Sequence, residues 1–137
     1  LDPLLYFNSD KDKFKKGEYV TVDLMGEKLD NINRMDLRIG YNSEYLKPIY
    51  VYPGNLFVRN NKVINWTDPD ISKTGIINIQ EILPENTVRG TVARIQFKVI
   101  KSGKPSLSWH QVIGKNKNDE TIQFKTIKGV IQNEENY

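Results

Sequence analysis

Two segments of the chain alternate strictly between apolar and polar residues. The first runs from Met35 to Tyr41 and the second from Thr91 to Ile100. Because the side chains of a β-strand point to opposite faces with a period of two, each segment is predicted to be a strand with one buried face. The polar faces of both strands then remain available to a partner. We therefore expect a sheet that presents a surface, and not a pocket.

Shorter apolar runs, separated by turn residues, predict the other strands. Glycine, proline, asparagine and aspartate are concentrated between these runs, as is usual for turns. The predicted strands cover residues 4–7, 19–25, 46–52, 63–67 and 76–83, then a strand marked by Leu107, Trp109 and Ile113, and finally residues 121–131 with a bulge at Gly129. About eight or nine strands without a helical period predict an all-β chain folded as an antiparallel sandwich or jelly roll.

One predicted strand has a mixed phase. Ile77 and Ile79 share one side of the strand, whereas Ile82 lies on the other. A one-residue bulge near Gln80 or Glu81 would return Ile82 to the buried side. We therefore predict a bulge at that point.

Length and composition indicate a single folded domain. The 137 residues are enough for one core, and 38% hydrophobic with 27% charged residues is the usual globular mixture. No apolar run approaches the roughly 18 residues that span a bilayer. We expect residues 1–137 to form one domain with a core from about residue 4 to residue 131. Since the chain does not begin with methionine, we expect it to be a module of a longer protein.

Charge and cysteine content argue against several classes of site. The net charge of +3 is small, and the lysine cluster at residues 11–16 is diluted by Asp12, which favours a solvated turn over a nucleic-acid patch. With no cysteine, the chain has neither a disulfide nor a thiolate metal site.

No catalytic constellation is evident. His110 is the only histidine and has no cysteine nucleophile to accompany it, so an ordinary surface or edge residue is expected. The pairs Asp68 with Asp70 and Glu81 with Glu85 would have to face each other across a cleft to hydrolyse a glycosidic bond, and the first pair is more simply a turn. We predict that the chain is not an enzyme.

A calcium site is a weaker alternative. Asn8, Asp10 and Asp12 alternate as oxygen ligands do in calcium loops. However, Lys13 occupies the position of the usual glycine, and Tyr19 replaces the bidentate acid at the end of the loop. A plain turn is therefore favoured, and no cofactor is predicted.

Five aromatic residues leave two interpretations open. Trp66, Trp109, Tyr50, Tyr52 and Tyr6 could stack on the sugar rings of a polysaccharide if they were aligned on a flat exposed sheet. Alternatively, the tryptophans share the phase of neighbouring aliphatic residues and belong to the core, where large aromatics contribute most. We favour the core for both tryptophans.

In the order and spacing of its strands, the chain resembles a cohesin domain, the receptor half of the cohesin–dockerin pair of bacterial cellulosomes. The resemblance extends from about Leu5 to Ile131. The matching features are Lys16-Gly17-Glu18 before residues 20–24, residues 35–41 with their turn to Leu46, Pro53-Gly54-Asn55-Leu56-Phe57, Gly75 before residues 76–79, and the run from Gly90 to Val99 followed by Gly103. The resemblance implies a nine-stranded flattened jelly-roll β-sandwich.

The resemblance also implies where a partner binds. In cohesins one sheet face binds the dockerin, and its strands match residues 35–41, 63–67, 76–83 and 91–100 here. Carried over by position, the partner-binding residues are Asp36, Arg38, Asn42, Asn65, Thr67, Asn78, Gln80, Arg94, Gln96 and Lys98. A dockerin brings its own calcium sites, so this domain would need none.

Two positions depart from the cohesin pattern. Asn42 and Ser43 follow Tyr41 where cohesins often have Asp-Pro, so an amide replaces a carboxylate that commonly contacts the dockerin. The acid near the end of the sixth cohesin strand has a loose counterpart here in Glu81 or Glu85.

The preferred hypothesis is a non-catalytic protein-protein interaction module of a secreted or cell-surface bacterial protein, which binds a dockerin through one sheet face. Neither nucleic-acid binding nor membrane insertion is expected. Two alternatives stay open. Cohesins also resemble jelly-roll cellulose-binding modules, which favours a carbohydrate-binding module with a polysaccharide partner. Related domains serve as accessory or stabilising parts of larger extracellular enzymes.

Overall fold

A computed structural model describes residues 2–104 and 107–132, and this part of the chain contains eleven strands and one short 3-10 helix. The strands are β1 (Leu4–Ser9), β2 (Tyr19–Glu27), β3 (Arg34–Tyr41), β4 (Leu46–Pro53), β5 (Val58–Arg59), β6 (Lys62–Val63), β7 (Ile76–Ile82), β8 (Gly90–Val99), β9 (Leu107–Lys115), β10 (Thr121–Ile122) and β11 (Lys125–Gln132). The 3-10 helix covers Asn55–Phe57, directly after β4. The prediction of an all-β chain is confirmed, and the strand count exceeds nine because β5, β6 and β10 have only two residues each.

The strands form two sheets that pack face to face. The five-stranded sheet has the order β11-β1-β2-β8-β4, and the four-stranded sheet has the order β10-β9-β3-β7. Neighbouring strands pair antiparallel, except β1 and β11, which are parallel. A small hairpin of β5 and β6 lies outside both sheets. The predicted β-sandwich is therefore confirmed.

The core lies between the sheets and is built from the inward row of each strand. Leu37 and Ile39 of β3 are completely buried, and so are Val22 of β2 and Phe97 of β8 on the opposite sheet. Burying a side chain of this size stabilises the fold by about 1.5–3 kcal/mol. The alternation predicted for β3 and β8 is thus confirmed, and it fixes which side chains of these strands face outward.

Both tryptophans pack against this core, as favoured from the sequence. Trp109 stacks on Phe7 with ring centroids 4.3 Å apart, and its Nε1 donates a hydrogen bond to the carbonyl oxygen of Ile127 at 3.1 Å. Trp66 meets Phe57 edge-on with centroids 5.1 Å apart. Because a core phenylalanine engages each indole ring, the tryptophans do not form an exposed stacking platform.

The prediction of a strand at residues 63–67 is wrong. Only Lys62–Val63 is extended and paired, as β6 of the small hairpin. Asn65 has a φ of 58°, a left-handed conformation that ends an extended run. The segment that follows lies beside β7, to which it is joined by an isolated antiparallel bridge between Asp70 and Asn78.

The bulge predicted near Gln80 or Glu81 is also wrong. β7 pairs with β3 in continuous register over its whole length, from Ile76 to Ile82. Strict alternation therefore places Glu81 on the inward side, where it is 3% exposed, and leaves Ile82 57% exposed. Glu81 is thus buried and Ile82 is exposed, which is the reverse of what their polarity would suggest.

Bulges occur in β9 and β11 instead. In β9 the register against β3 shifts by one residue, which leaves His110 as the extra residue. In β11 the register against β1 shifts across Gly129, which has a φ of 72°, and the bulge predicted there is confirmed. The last predicted strand, at residues 121–131, is divided into β10 and β11, which belong to different sheets. No helix within the described residues has the length and hydropathy of a membrane span.

A close backbone approach at Gly54 fixes the point where the chain leaves the five-stranded sheet. The N–H of Gly54 donates a hydrogen bond to the carbonyl oxygen of Val92 at 3.0 Å. A Cβ added at Gly54 would lie 1.9 Å from the carbonyl oxygen of Thr91. Because the obstructing atoms belong to the backbone of β8, movement of a side chain cannot relieve this clash.

Substitution of Gly54 tests this constraint. We expect Gly54→Ala to lower the free energy of unfolding by about 2–3 kcal/mol, because an added methyl group must displace backbone in a packed region. Gly17→Ala is the matched control: its Cβ would meet no atom within 4 Å, and only its φ of 89° is unfavourable, at about 1 kcal/mol. Urea unfolding of both variants gives the two values, and a smaller loss for Gly54→Ala than for Gly17→Ala would contradict the prediction.

Candidate protein-binding face

The predicted partner-binding residues lie on opposite sides of the sandwich. Asp36 and Arg38 belong to β3 of the four-stranded sheet. Arg94, Gln96 and Lys98 belong to β8 of the five-stranded sheet. All five side chains lie on the outward row of their strand, so the core separates the two groups. The expectation that one face combines them is wrong.

Four of the predicted residues do come together on the four-stranded sheet. β3 and β7 pair so that Asp36 lies opposite Gln80 and Arg38 lies opposite Asn78. Directly opposed Cβ atoms are about 5 Å apart, so the four side chains form one polar patch. Arg38 and Gln80 are exposed, whereas Asp36 and Asn78 are half-buried.

The remaining predicted residues of this group lie at the margins of the patch. Asn42 occupies the turn after β3, where its Oδ1 accepts a hydrogen bond from the N–H of Glu44 at 3.0 Å. Asn65 and Thr67 lie in the irregular segment beside β7 and line, together with Asp36, an open groove of about 580 Å³. The structure thus brings Asn65 and Thr67 to the patch without the strand predicted for them.

Two exposed isoleucines beside the patch were not predicted from the sequence. Ile113 of β9 lies opposite Asp36 and is 37% exposed, and Ile82 of β7 lies opposite Arg34. The bulge at His110 reverses the phase of β9, so Ile113 faces outward although the strand begins with inward apolar residues. The mixed phase of β7 was the signal in the sequence for Ile82, and it was misread as a bulge.

Two cationic side chains of the four-stranded face form no ion pair within the described residues. Arg34 forms an ion pair with Asp119. Among the described residues, neither Arg38 nor Lys115 has a carboxylate within 4.0 Å. Asp36 lies between Arg34 and Arg38 along β3, and its Oδ1 has no hydrogen-bond partner in the described part of the chain. The face therefore combines an apolar pair with two cationic side chains, Arg38 and Lys115, that form no ion pair among the described residues.

His110 lies on the same face, over a glycine of β3. A Cβ added at Gly40 would come within 2.2 Å of His110 Nε2 and 2.6 Å of Ser108 Oγ, so these side chains occupy the space that a larger residue would fill. His110 is exposed. This exposure agrees with the prediction of a surface or edge residue.

Asp68 and Asp70, one of the two acid pairs in the sequence, accept hydrogen bonds from residues close to them in the chain. Asp68 accepts a hydrogen bond from Trp66 Nε1 at 3.1 Å, and Asp70 accepts from the N–H and the Oγ of Ser72 at 2.9 and 2.6 Å. These contacts are those of turns, as predicted for Asp68 and Asp70. Glu85 is exposed, whereas its supposed partner Glu81 is buried.

The calcium hypothesis stays a prediction. Asn8 is on the outward row of β1, and Asp10 is exposed after the end of that strand, as is Asp12. Across residues 2–104 and 107–132, no group of three or more histidine or acidic side chains is placed to hold a metal ion.

Glu81 is the buried acid of this region, and it positions the segment beside β7. Its Oε1 accepts a hydrogen bond from the N–H of Thr67 at 2.7 Å, whereas its Oε2 has no partner within the described residues. Burial raises the pKa of Glu81 to about 7, with a smaller contribution from the negative charge of Asp68, while the hydrogen bond from Thr67 opposes the shift. The carboxyl therefore links β7 to the segment at the margin of the polar patch.

Solved structures with this architecture are cohesin modules, and the chain has the cohesin fold. A type II cohesin dyad from an adaptor scaffoldin of Acetivibrio cellulolyticus is similar with a TM-score of 0.76 and 20% identity, over 96% of this chain and 48% of the dyad. The present chain thus spans about half of that protein. A non-cellulosomal cohesin from the archaeon Archaeoglobus fulgidus gives a TM-score of 0.74 at 14% identity, over 96% of this chain and 93% of that one.

A third similar structure contains a partner. It is the sixth cohesin of scaffoldin B from A. cellulolyticus in complex with a mutant dockerin, with a TM-score of 0.77 and 14% identity over 97% of this chain and 100% of that one. No family model and no curated protein matches the chain. At these identities the similarity shows the fold, and the cohesin-like fold predicted from the sequence is confirmed.

The buried carboxyl of Glu81 makes the stability of the domain depend on pH. Its pKa is near 4.5 when exposed in the unfolded chain and about 7 in the folded protein, so the folded state holds the proton more tightly. The stability contributed by this group is fully present below about pH 4.5 and is lost as the pH rises to about 7. We expect a loss of about 1–3 kcal/mol, with the lower value applying if solvent in the adjoining groove screens the charge.

The substitution Glu81→Gln tests this dependence because it abolishes the titration and keeps an acceptor for the N–H of Thr67. Urea unfolding at pH 5, 6, 7 and 8 should show a much smaller decline for this variant than for the unmodified chain. The exposed acid Glu85, changed to Gln, is the control and should retain the full decline. An unchanged decline in Glu81→Gln would show that other groups cause it.

Proposed function

We propose that the chain is a non-catalytic receptor module that binds a dockerin through the outer face of its four-stranded sheet. The observation that carries this proposal is the exposed pair Ile82 and Ile113, which flanks β3 on a sheet surface where their opposed neighbours Arg34 and Asp36 are charged. The cohesin fold supports the proposal, since a similar structure is a cohesin in complex with a dockerin.

The isoleucines supply the apolar part of such an interface. Protein interfaces concentrate their binding energy in a few central side chains surrounded by polar groups that exclude water. Ile82 and Ile113 have polar and charged neighbours on this face, including Arg34, Asp36 and Gln80. Because all of these residues are held on paired strands, little conformational entropy is lost when a partner binds.

The unpaired cations determine the kind of dockerin surface that fits. Among the residues that the structure describes, Arg38 and Lys115 have no carboxylate within 4.0 Å, so a complementary surface would present carboxylates near them. Opposite charges accelerate association and align the two surfaces, and this effect weakens as salt is added. We infer that the partner is a dockerin with an acidic recognition surface.

The location follows from the proposed role. A dockerin receptor of this kind acts outside the cell, in a secreted or cell-surface bacterial protein. In the proposed complex the dockerin supplies its own calcium, so that this chain needs no cofactor.

Truncation of the isoleucines tests the proposed face. We expect Ile82→Ala and Ile113→Ala each to weaken dockerin binding by about 10-fold or more, because each removes a central apolar contact. Binding is measured by titration calorimetry against a panel of purified dockerin modules, including type II dockerins with their X modules. Thermal unfolding should change little, since both side chains are exposed.

Charge reversal provides a matched comparison between the faces. Arg38→Glu should slow association with the dockerin, whereas Lys125→Glu, an equal charge change at an exposed position of β11, should leave it unaffected. A panel without any binding dockerin would overturn the proposed function. Equal weakening by both reversals would show that binding does not use the four-stranded face.

A further inference from the structure

The outer face of the five-stranded sheet carries ordered rows of side chains that the proposed dockerin site does not use. Strand register places each row across β4, β8 and β2. The first row is Lys47, Lys98 and Tyr19, the second is Tyr50, Gln96 and Thr21, and the third is Tyr52, Arg94 and Asp23. Arg94 lies four positions before Lys98 on β8, so the three rows extend over about 13 Å.

Two lysines stand directly opposite each other in the first row. Lys47 is the register partner of Lys98, and neither has a carboxylate within 4.0 Å among the residues described. The Nζ of Lys98 lies 5.9 Å from the centre of the Tyr19 ring. Like charges directly opposed on a sheet destabilise it, and a bound anion would remove that repulsion. This row is therefore complementary to negative charge.

The third row ends in a pocket with a fixed arginine. Nε and Nη2 of Arg94 donate hydrogen bonds to the two carboxylate oxygens of Asp23 at 2.7 and 2.9 Å, which holds the guanidinium in place. Two of its five N–H groups are used in this way, and among the described residues no side chain accepts a hydrogen bond from the others, which can therefore serve a ligand. Arg94 lines an open pocket of about 450 Å³ together with Tyr52, Asn55 and Thr91.

Tyrosines border the strip along the edge strand. Tyr50 and Tyr52 are 45% and 43% exposed, and their rings meet edge to face with centroids 4.6 Å apart. A tyrosine ring offers an apolar surface together with a hydroxyl group. Sugar rings present the complementary combination, namely a face of C–H groups with hydroxyl groups around it.

We propose that this face binds an acidic polysaccharide, a chain of uronic acid residues, which runs from Lys47 and Lys98 to the pocket at Tyr52 and Arg94. The carboxylate groups of the sugars pair with the lysines and with the free N–H groups of Arg94. The rings of Tyr50 and Tyr52 contact the sugar faces, and Gln96 lies between the two charged ends. The proposal does not depend on dockerin binding, because the opposite sheet provides that surface.

The layout of the strip favours a polysaccharide over a protein. A protein interface usually has an apolar centre and a polar rim. Here the centre is Gln96 and Thr21, while the aromatic side chains lie around it: Tyr50 and Tyr52 on the edge strand β4, and Tyr19 on β2 in the first row. A flexible polymer with alternating polar and apolar surfaces fits such an arrangement along its length.

Binding to defined polysaccharides tests the proposal. Polygalacturonate and alginate are compared with the neutral polymers galactan and cellulose by affinity electrophoresis and calorimetry with the full chain. We expect binding to the two polyuronates only, with weakening of several-fold when salt is raised from 50 to 200 mM, since a few ion pairs contribute. The double variant Lys47→Gln with Lys98→Gln and the single variant Tyr52→Ala should each weaken binding by 10-fold or more.

A charge-matched control separates a specific strip from general attraction. Arg38→Gln with Lys115→Gln also removes two positive charges, but from the opposite face, and it should leave polyuronate binding unchanged. Equal weakening by both double variants would overturn the proposal, as would binding to poly-glutamate or single-stranded DNA as strong as binding to polyuronate. Absence of polyuronate binding, or equal binding to galactan, would also overturn it. Thermal unfolding of each variant confirms that it is folded.

Discussion

The packing of inward-facing rows between the two sheets is the constraint on which the rest of the structure depends. Alternate residues of β2, β3, β7 and β8 are committed to this interior. A slip of one residue in any of these strands would carry charged groups inside and apolar groups outside, so the register is strongly fixed. The same register fixes the positions of the outward side chains, so that Arg38 lies beside Asn78 and Arg94 lies beside Asp23. Outward-facing side chains are thus positioned by a core that they do not touch.

Alternation along the sequence predicts which side of a strand is buried, but not the sheet to which the strand belongs. For this reason the inward residues of β3 and β8 were predicted correctly, and both Arg38 and Arg94 were correctly placed facing outward. The segment between β7 and β8 crosses from one sheet to the other: the N–H of Leu83 still bonds to the β2–β3 connection, and β8 then pairs with β2 and β4. Such a crossing depends on pairing between distant residues, which no local period encodes. The residues predicted to share one face therefore lie on the outer faces of two different sheets.

The other differences from the sequence-based expectation occur where a residue contradicts the local pattern. Glu81 is an acid, yet β7 continues without a bulge and buries it. Ile82 becomes exposed as a result. Burial of an acid costs stability, and an exposed isoleucine contributes little to an isolated domain. A buried acid next to an exposed isoleucine at one margin of a sheet is typical of a functional surface, where local rules of folding are often broken. Exposed Ile113 of β9, on the other side of β3 and brought outward by the bulge in β9, belongs to the same surface.

The two outer faces are joined by a rigid core and therefore operate as independent surfaces. Stacked sheets lie about 10 Å apart, so partners on opposite faces do not collide across the sandwich. Within the described residues, packed apolar side chains connect the strands that carry the two surfaces, and this core has a single arrangement. We therefore expect that a ligand bound to one face does not change the affinity of the other face. If a dockerin occupies one face and a polysaccharide the other, the module holds both at once. Its effect is then to raise the concentration of whatever the dockerin carries near the polymer, which requires no conformational change.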